Sequence, residues 1–147
     1  MQEFKFKPIG IIHTPYKSPG ECPRQGFLKQ GVKGTIELLP ELKEGLLDID
    51  GFSHLLLIWV FHKSDSFKLL AKPPGEEKMH GVFATRSPHR PNPLGLTVVK
   101  LISIEENILH IEDPDMLDGT PLLDIKPYVL PPESMGEVKR GWLDNRK

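Results

Sequence analysis

The stretch Gly81 to Leu96, GVFATRSPHRPNPLGL, gathers the side chains best suited to chemistry: Arg86, His89, Arg90 and Asn92, set among Pro88, Pro91 and Pro93. Each proline fixes its own φ and lacks an N–H, so the stretch cannot join the middle of a sheet. Residues preceding proline are pushed to extended conformations, here Ser87, Arg90 and Asn92. Two guanidiniums, an imidazole and an amide therefore sit in a stiff loop, and stiffness lowers the entropy lost on binding. A planar guanidinium fork matches a carboxylate or phosphate in two hydrogen bonds, so the ligand this loop suits is anionic and planar. The competing reading is a proline-rich surface turn with solvated charges. It leaves the placing of both arginines and Asn92 among the prolines unexplained.

Three other segments carry candidate groups. Pro23-Arg24-Gln25 lies in a run rich in breakers, Phe61-His62-Lys63 closes an apolar run, and Leu117-Asp118-Gly119-Thr120 leads into Asp124-Ile125-Lys126-Pro127-Tyr128. Asp118-Gly119 signals a turn; its carboxylate can accept from a ribose hydroxyl or close an Asx-turn with no ligand, and both readings stay open. Asp124 and Lys126 alternate with Leu123 and Ile125, as on the solvent face of a half-buried strand. His54 and His62 share a face of one apparent strand, but no Cys/His cluster or H-E-x-x-H accompanies them, so no metal site is expected. Cys22, between Glu21 and Pro23, has no evident thiolate activation. No G-x-S-x-G elbow supports serine hydrolase chemistry, and no G-x-G-x-x-G after a strand supports a Rossmann-type fold.

These segments need a scaffold. A chain of 147 residues, 38% hydrophobic and 27% charged, reads as one globular domain. A formal charge of -1 provides no global basic field, so a nucleic acid would have to be held by local patches. One cysteine excludes an internal disulfide and fits a reducing compartment. The N-terminus shows no apolar signal region, and the run Leu55 to Phe61 is too short to span a bilayer, so the chain is expected to be cytoplasmic. Strands are expected over Phe4–Thr14, Val32–Leu39, His54–His62, His80–Thr85, Gly95–Glu105, Ile108–Glu112 and Leu122–Val129. The third of these reads as buried on both faces. Pro40 to Leu47 reads as a short helix, and Pro15 to Gly31 as a long loop of the kind that lines a site. Residues 1–130 are expected to form the folded domain and 131–147 a polar tail, with Trp142 exposed as an interface anchor. The pattern is mainly β, as a barrel or a sandwich.

The four segments, in this order and spacing, resemble the TsaA/TrmO family. The match is carried by Ile9-Gly10 with Thr14-Pro15-Tyr16, by Pro23-Arg24-Gln25, and by Gly51-Phe52-Ser53-His54-Leu55. It continues through Gly81 to Pro88, Arg90 to Pro93 with Gly95-Leu96, and Asp118 to Pro121 with Asp124 to Tyr128. The resemblance implies a small β-barrel of TsaA type with long loops and one short helix. It also implies an S-adenosylmethionine-dependent tRNA methyltransferase that methylates N6 of N6-threonylcarbamoyladenosine in the anticodon loop and works as a homodimer. Carried over by position, Pro23, Arg24, Gln25, His62, Lys63, Arg86, Leu96, Leu117, Asp118, Gly119 and Thr120 would hold the cofactor. Arg90, Asn92, Asp124 and Tyr128 would recognise substrate or move a proton, with Arg90 on the threonyl carboxylate. Little chain follows Trp142, so tRNA would be gripped across a dimer by Lys63, Lys68, Lys72, Lys78, Arg86 and Arg90. Two other classes compete: a non-catalytic sensor of S-adenosylmethionine or another adenosine ligand, and a β-barrel RNA adaptor without cofactor.

Overall fold

The computed structural model describes residues 1–130 and 136–145, except for the side chains of Phe27 and Asn145. Its strands are β1 (Gly10–His13), β2 (Lys33–Leu38), β3 (His54–Val60), β4 (Leu70–Ala71), β5 (His80–Gly81), β6 (Leu94–Glu105), β7 (Ile108–Glu112) and β8 (Thr120–Pro127). Six of them close into an antiparallel barrel in the order β1-β2-β7-β6-β3-β8, while β4 and β5 form a separate ribbon. Closure leaves no unpaired edge among the six, which is how a small all-β domain avoids edge-to-edge association. Of the two β architectures open to the sequence, the barrel is the one observed.

Strand periodicity builds the core. Ile12, Ile36, Leu55, Leu57, Trp59, Val99, Leu109, Ile111, Met116 and Leu122 form one buried cluster. β6 inverts the simple rule that apolar residues point inward. Gly95 and Thr97 face the interior, while Leu94, Leu96 and Val98 face outward. Trp59 is the cause: a Cβ on Gly95 would lie 2.3 Å from the indole ring, and the indole N–H donates to Thr97 Oγ1 at 3.0 Å. The large ring fills the barrel here, so its neighbours on β6 must be small or polar, and packing at native density leaves no room for more.

Several expected elements differ. β1 begins only at Gly10, and Phe4 and Phe6 lie exposed before it. β3 ends at Val60 and alternates strictly between buried and half-buried residues, so it is a barrel strand with one inward face and His62 lies beyond it. The stretch expected as a strand from His80 to Thr85 pairs for two residues and then winds into a 3-10 turn, Val82–Ala84. Pro40–Leu46 is 3-10 rather than α-helical. β8 spans Thr120–Pro127, with a bulge at the step between Ile58 and Trp59 on its partner. Leu122 points into the core and Ile125 packs against it, so the bulge changes the parity of the strand and turns Asp124 outward. Trp142 is half-buried rather than exposed. It stacks on His80 at 4.6 Å and donates to the Ala84 carbonyl at 2.7 Å.

The register fixes which loops meet. Val60 pairs with Leu94, Trp59 with Leu122, Ile12 with Thr120 and Lys33 with Glu112. The connections over residues 14–32, 61–93 and 113–119 therefore emerge at the same end of the barrel. The hairpin turn at Glu106-Asn107, the 3-10 stretch Pro40–Leu46 and Tyr128 lie at the other end.

Candidate active site at one end of the barrel

The proline-rich loop is braced from within and from both flanks. Arg90 Nη1 donates to the carbonyls of Thr85 at 2.9 Å and Ser87 at 3.3 Å. Ser64 Oγ donates to the Pro88 carbonyl at 2.9 Å, Lys68 N to His89 O at 3.2 Å, and Phe61 N to Pro93 O at 2.8 Å. Arg90 is thus part of the loop's own framework; Nη1 commits both of its hydrogens, leaving Nε and Nη2 of a five-donor fork to meet an anion. Arg86, Asn92 and Lys63 are exposed on the same loop system, and His62 is half-buried beside them.

The long loop after β1 folds down toward residues 113–115. Gln25 starts a 3-10 turn, Gly26–Leu28. Gly26 is packed so tightly that a Cβ would lie 1.9 Å from the Asp113 carbonyl oxygen, so only glycine fits. Farther along, Gly31 N donates to Asp113 Oδ1 at 2.8 Å, and Asp113 N donates to Val32 O. These contacts hold Pro23-Arg24-Gln25 over the same barrel end, with Arg24 exposed.

The third segment is latched to β1. Asp118 accepts from Thr14 N at 3.0 Å and from Lys17 Nζ at 2.7 Å, and Gly119 N donates to Ile12 O. Gly119 has φ +82°, which glycine tolerates without strain. Thr120 Oγ1 donates back to the Leu117 carbonyl. The Lys17 ammonium and the Thr14 N–H hold the Asp118 carboxyl below its ordinary range.

Electrostatics single out a different aspartate. Burial lifts the Asp115 carboxyl to about 6, against hydrogen bonds from Thr97 and the Gly26 N–H and the nearby charge of Arg86, which lower it. Thr97 Oγ1 donates to Asp115 Oδ1 at 2.5 Å, extending the chain that begins at the Trp59 indole. Burial and the Asp115 charge also raise the Cys22 thiol, which keeps it protonated. Burial and the neighbouring Lys63 lower His62, so its imidazole is neutral over a wider pH range than usual. Tyr16 is almost fully buried, and its hydroxyl has no hydrogen-bond partner among the described residues.

All eleven residues implied as cofactor contacts belong to loops, or to strand ends, at this one end. Arg90 and Asn92 join them. Asp124 and Tyr128 do not. Asp124 lies partway along β8 and pairs with Lys126 Nζ at 3.0 Å. Tyr128 stands edge-on to His54 at 6.3 Å, beyond the far end of β8, roughly 25 Å along the strand from Thr120. Residues missed by sequence reading are Asp115, Thr97, Trp59 and Tyr16. Three aspartates fall within Asp113 to Asp118, and only Asp118, next to Gly119, carries a local turn signal; half-buried Asp115 is set apart by its raised carboxyl. Among the described residues, no group of three or more His, Cys, Asp or Glu is placed to hold a metal ion, and no helix is long and apolar enough to cross a membrane.

A closed six-stranded antiparallel barrel, with arginine-bearing loops collected at one mouth, defines the class: a β-barrel whose candidate site is built from loops. The model of the tRNA-methyltransferase O N-terminal domain matches residues 11–132, and the chain belongs to that family. It is 51% identical over 139 residues to a protein of Pyrococcus abyssi named as a probable S-adenosyl-L-methionine-binding protein, covering 95% of this chain and 76% of that one. It is 35% identical to the tRNA (adenine(37)-N6)-methyltransferase of Escherichia coli K12, covering 97% of this chain and 65% of the enzyme. The crystal structure of TrmO from Pseudomonas aeruginosa superposes with a TM-score of 0.79 at 36% identity, covering 96% of this chain and 63% of that one. The chain thus spans about two thirds of the Escherichia coli and Pseudomonas proteins.

Proposed function

We propose that this chain is an S-adenosylmethionine-dependent methyltransferase that modifies N6 of N6-threonylcarbamoyladenosine in the anticodon loop of tRNA. The observation that carries this reading is the convergence of Pro23–Gln25, His62-Lys63, Arg86, Leu96 and Leu117–Thr120 at one barrel mouth. Family membership and the named activity of the Escherichia coli relative support it.

The residues at the mouth fit the cofactor's chemistry. Arg24 and Arg86 are exposed forks able to bind the methionyl carboxylate. Leu96, 51% exposed on the outer face of β6, and half-buried Leu117 supply apolar surface for adenine, while the left-handed Gly119 lets backbone approach closely. When bound, S-adenosylmethionine supplies the reactive sulfonium methyl. The remaining tasks belong to the protein. Arg90, fixed by Thr85 and Ser87, presents Nε and Nη2 to the threonyl carboxylate, and Asn92 on the same loop orients the base. Rigid alignment of acceptor and donor for in-line transfer lowers the barrier, and loss of the N6 proton completes the reaction.

A homodimer belongs to this reading: Asp124 and Tyr128, which lie away from the mouth that holds Arg90, would serve its site from a second copy of the chain. The exposed apolar stripe Leu94, Leu96, Val98 and Ile102 on β6 is suited to such a contact. tRNA phosphates would meet exposed Lys63, Lys68, Lys72, Lys78 and Arg86 on the 61–93 connection. A calorimetric titration with S-adenosylmethionine, repeated on Arg86→Ala and Arg90→Ala, tests the division of roles. Arg86→Ala is expected to weaken cofactor binding at least tenfold, and Arg90→Ala, which also loosens the bracing on either side of Arg86, to weaken it less while raising KM for tRNA, read in a separate kinetic assay. Binding without transfer to any tRNA would favour the sensor reading.

A further inference from the structure

The 61–93 connection differs from the rest of the chain in its charge and in what it leaves uncovered. It holds six lysines and arginines against three carboxylates, a net +3 in a chain whose total is -1, so the remainder is net acidic. Glu76, one of the three carboxylates, turns toward His80 Nε2 at 3.6 Å. The same connection keeps two aromatic rings in solvent: Phe83 is 77% exposed and Phe67 54%. A single exposed apolar side chain is ordinary, but these two stand among cations on a braced framework. Val82, just before Phe83, is buried, and its N–H donates to the Leu69 carbonyl at 2.8 Å. The Val82 carbonyl accepts from Thr85 N at 3.1 Å and from Thr85 Oγ1 at 2.8 Å. On the other side of Phe83, the Ala84 carbonyl accepts the Trp142 indole N–H. One residue before Leu69, exposed Lys68 donates its N–H to His89 O, which ties the approach to the β4–β5 ribbon to the proline-rich loop; Phe67 precedes it.

We propose that Phe83 and Phe67 form a stacking platform for unpaired nucleotides of RNA, with Lys68, Lys72, Lys78 and Arg86 taking the neighbouring phosphates. The inference rests on reading the chain as a tRNA-modifying enzyme and names the side chains that hold the loop of that substrate. Cations by themselves grip any duplex through its backbone and need no exposed rings. A phenyl ring stacks on a base only where that base stands out of a helix, which an anticodon loop offers and a duplex does not. Bracing on both sides of Phe83 lowers the entropy lost when a base settles on it. Phe83 also stands three residues before Arg86, which places the platform next to the mouth. The other occupant for an exposed apolar surface is a second copy of the chain. A two-fold contact through this connection sets its positive surplus against itself, which disfavours that occupant.

The test is fluorescence anisotropy with two labelled RNAs, an unmodified anticodon stem-loop and a blunt duplex of equal nucleotide number, in the absence of cofactor. Wild type is expected to prefer the stem-loop. Phe83→Ala should weaken stem-loop binding roughly tenfold and leave duplex binding and its salt dependence unchanged, with Phe67→Ala acting in the same direction. Phe83→Trp should restore the affinity and Phe83→Leu should not, because the π-face rather than apolar area is what the base needs. Lys68→Gln, by contrast, should weaken both RNAs and flatten the salt dependence. Equal affinities for wild type and Phe83→Ala, equal losses on both RNAs, or full rescue by leucine would overturn the proposal. Thermal melts check folding; should Phe83→Ala not fold, the comparison of Phe83→Leu with Phe83→Trp decides. If Phe83→Ala keeps its RNA affinity but dissociates a dimer in sedimentation velocity, the ring faces a second copy and the platform falls. A stem-loop preference that depends on Phe83, without methyl transfer to any tRNA, supports the platform and overturns the methyltransferase reading. Methyl transfer whose KM for tRNA is untouched by Phe83→Ala overturns the platform alone.

Discussion

Asp115→Asn should change how stability depends on pH, whatever it does to ligand binding. The carboxyl is displaced from 3.8 to about 6, chiefly by burial. Because the folded-state value is raised, protonated Asp115 is well tolerated, and the stability it allows is present below the unfolded value and lost as pH rises through about 6. A displacement of roughly two units at about 1.4 kcal/mol each makes the full ionisation penalty ~3 kcal/mol. Between about pH 4.5 and pH 7.5 some ~2 kcal/mol of it develops, since a little has already accrued at the acid end. For a chain of this size that corresponds to roughly 4–8 °C in Tm. Thermal melts of both proteins across that range provide the assay. The Tm difference between Asp115→Asn and wild type should grow in favour of the amide by that amount as pH rises, while any constant offset reports lost hydrogen bonding. Parallel curves would mean that Asp115 does not ionise against burial, and the electrostatic argument would fall.

Other consequences follow from single contacts. Gly95→Ala drives a Cβ into the Trp59 ring and is expected to cost about 1–3 kcal/mol by overpacking, read as a lowered urea midpoint with altered indole fluorescence; an unchanged midpoint would contradict the tight fit. Trp142→Phe keeps a ring over His80 but removes the bond to the Ala84 carbonyl, for a loss of ~1 kcal/mol and faster tryptic cleavage after Arg86; an equal cleavage rate would show that the tail does not steady the loop. His62 should titrate below an ordinary histidine by NMR, because burial and Lys63 disfavour its charged form, and Lys63→Gln should bring it part of the way back. A normal midpoint would place His62 in water.

Much of the site could be read in the residues because its signals are local. Proline spacing alone marks residues 85–93 as a rigid loop, and Asp118-Gly119 marks a turn whose glycine does take a left-handed φ. The barrel strands announce themselves by alternation, though β6 deceives: Leu94, Leu96 and Val98 point outward because Trp59, more than thirty residues earlier, occupies the interior against Gly95 and Thr97. Such packing belongs to the pairing of β3 with β6 and has no trace in either strand by itself. The stretches before Gly10 and after Gly81 alternate like strands yet are not, for the opposite reason: apolar residues there lack a partner strand, and without a ladder they form exposed coil or a 3-10 turn. Asp115 stayed hidden because its distinction is burial beside Gly26 and Thr97. Register sends Tyr128 to the opposite end of the barrel from Arg90, so within one chain the two do not meet.

Mass spectrometry of nucleosides from tRNA incubated with the purified chain and S-adenosylmethionine is the decisive experiment, run on tRNA with and without its threonylcarbamoyl group. A methyl mass gain confined to N6-threonylcarbamoyladenosine, and lost in Arg90→Ala, is the expected result. No gain on either tRNA, with the cofactor bound by calorimetry, would contradict the methyltransferase assignment for this chain.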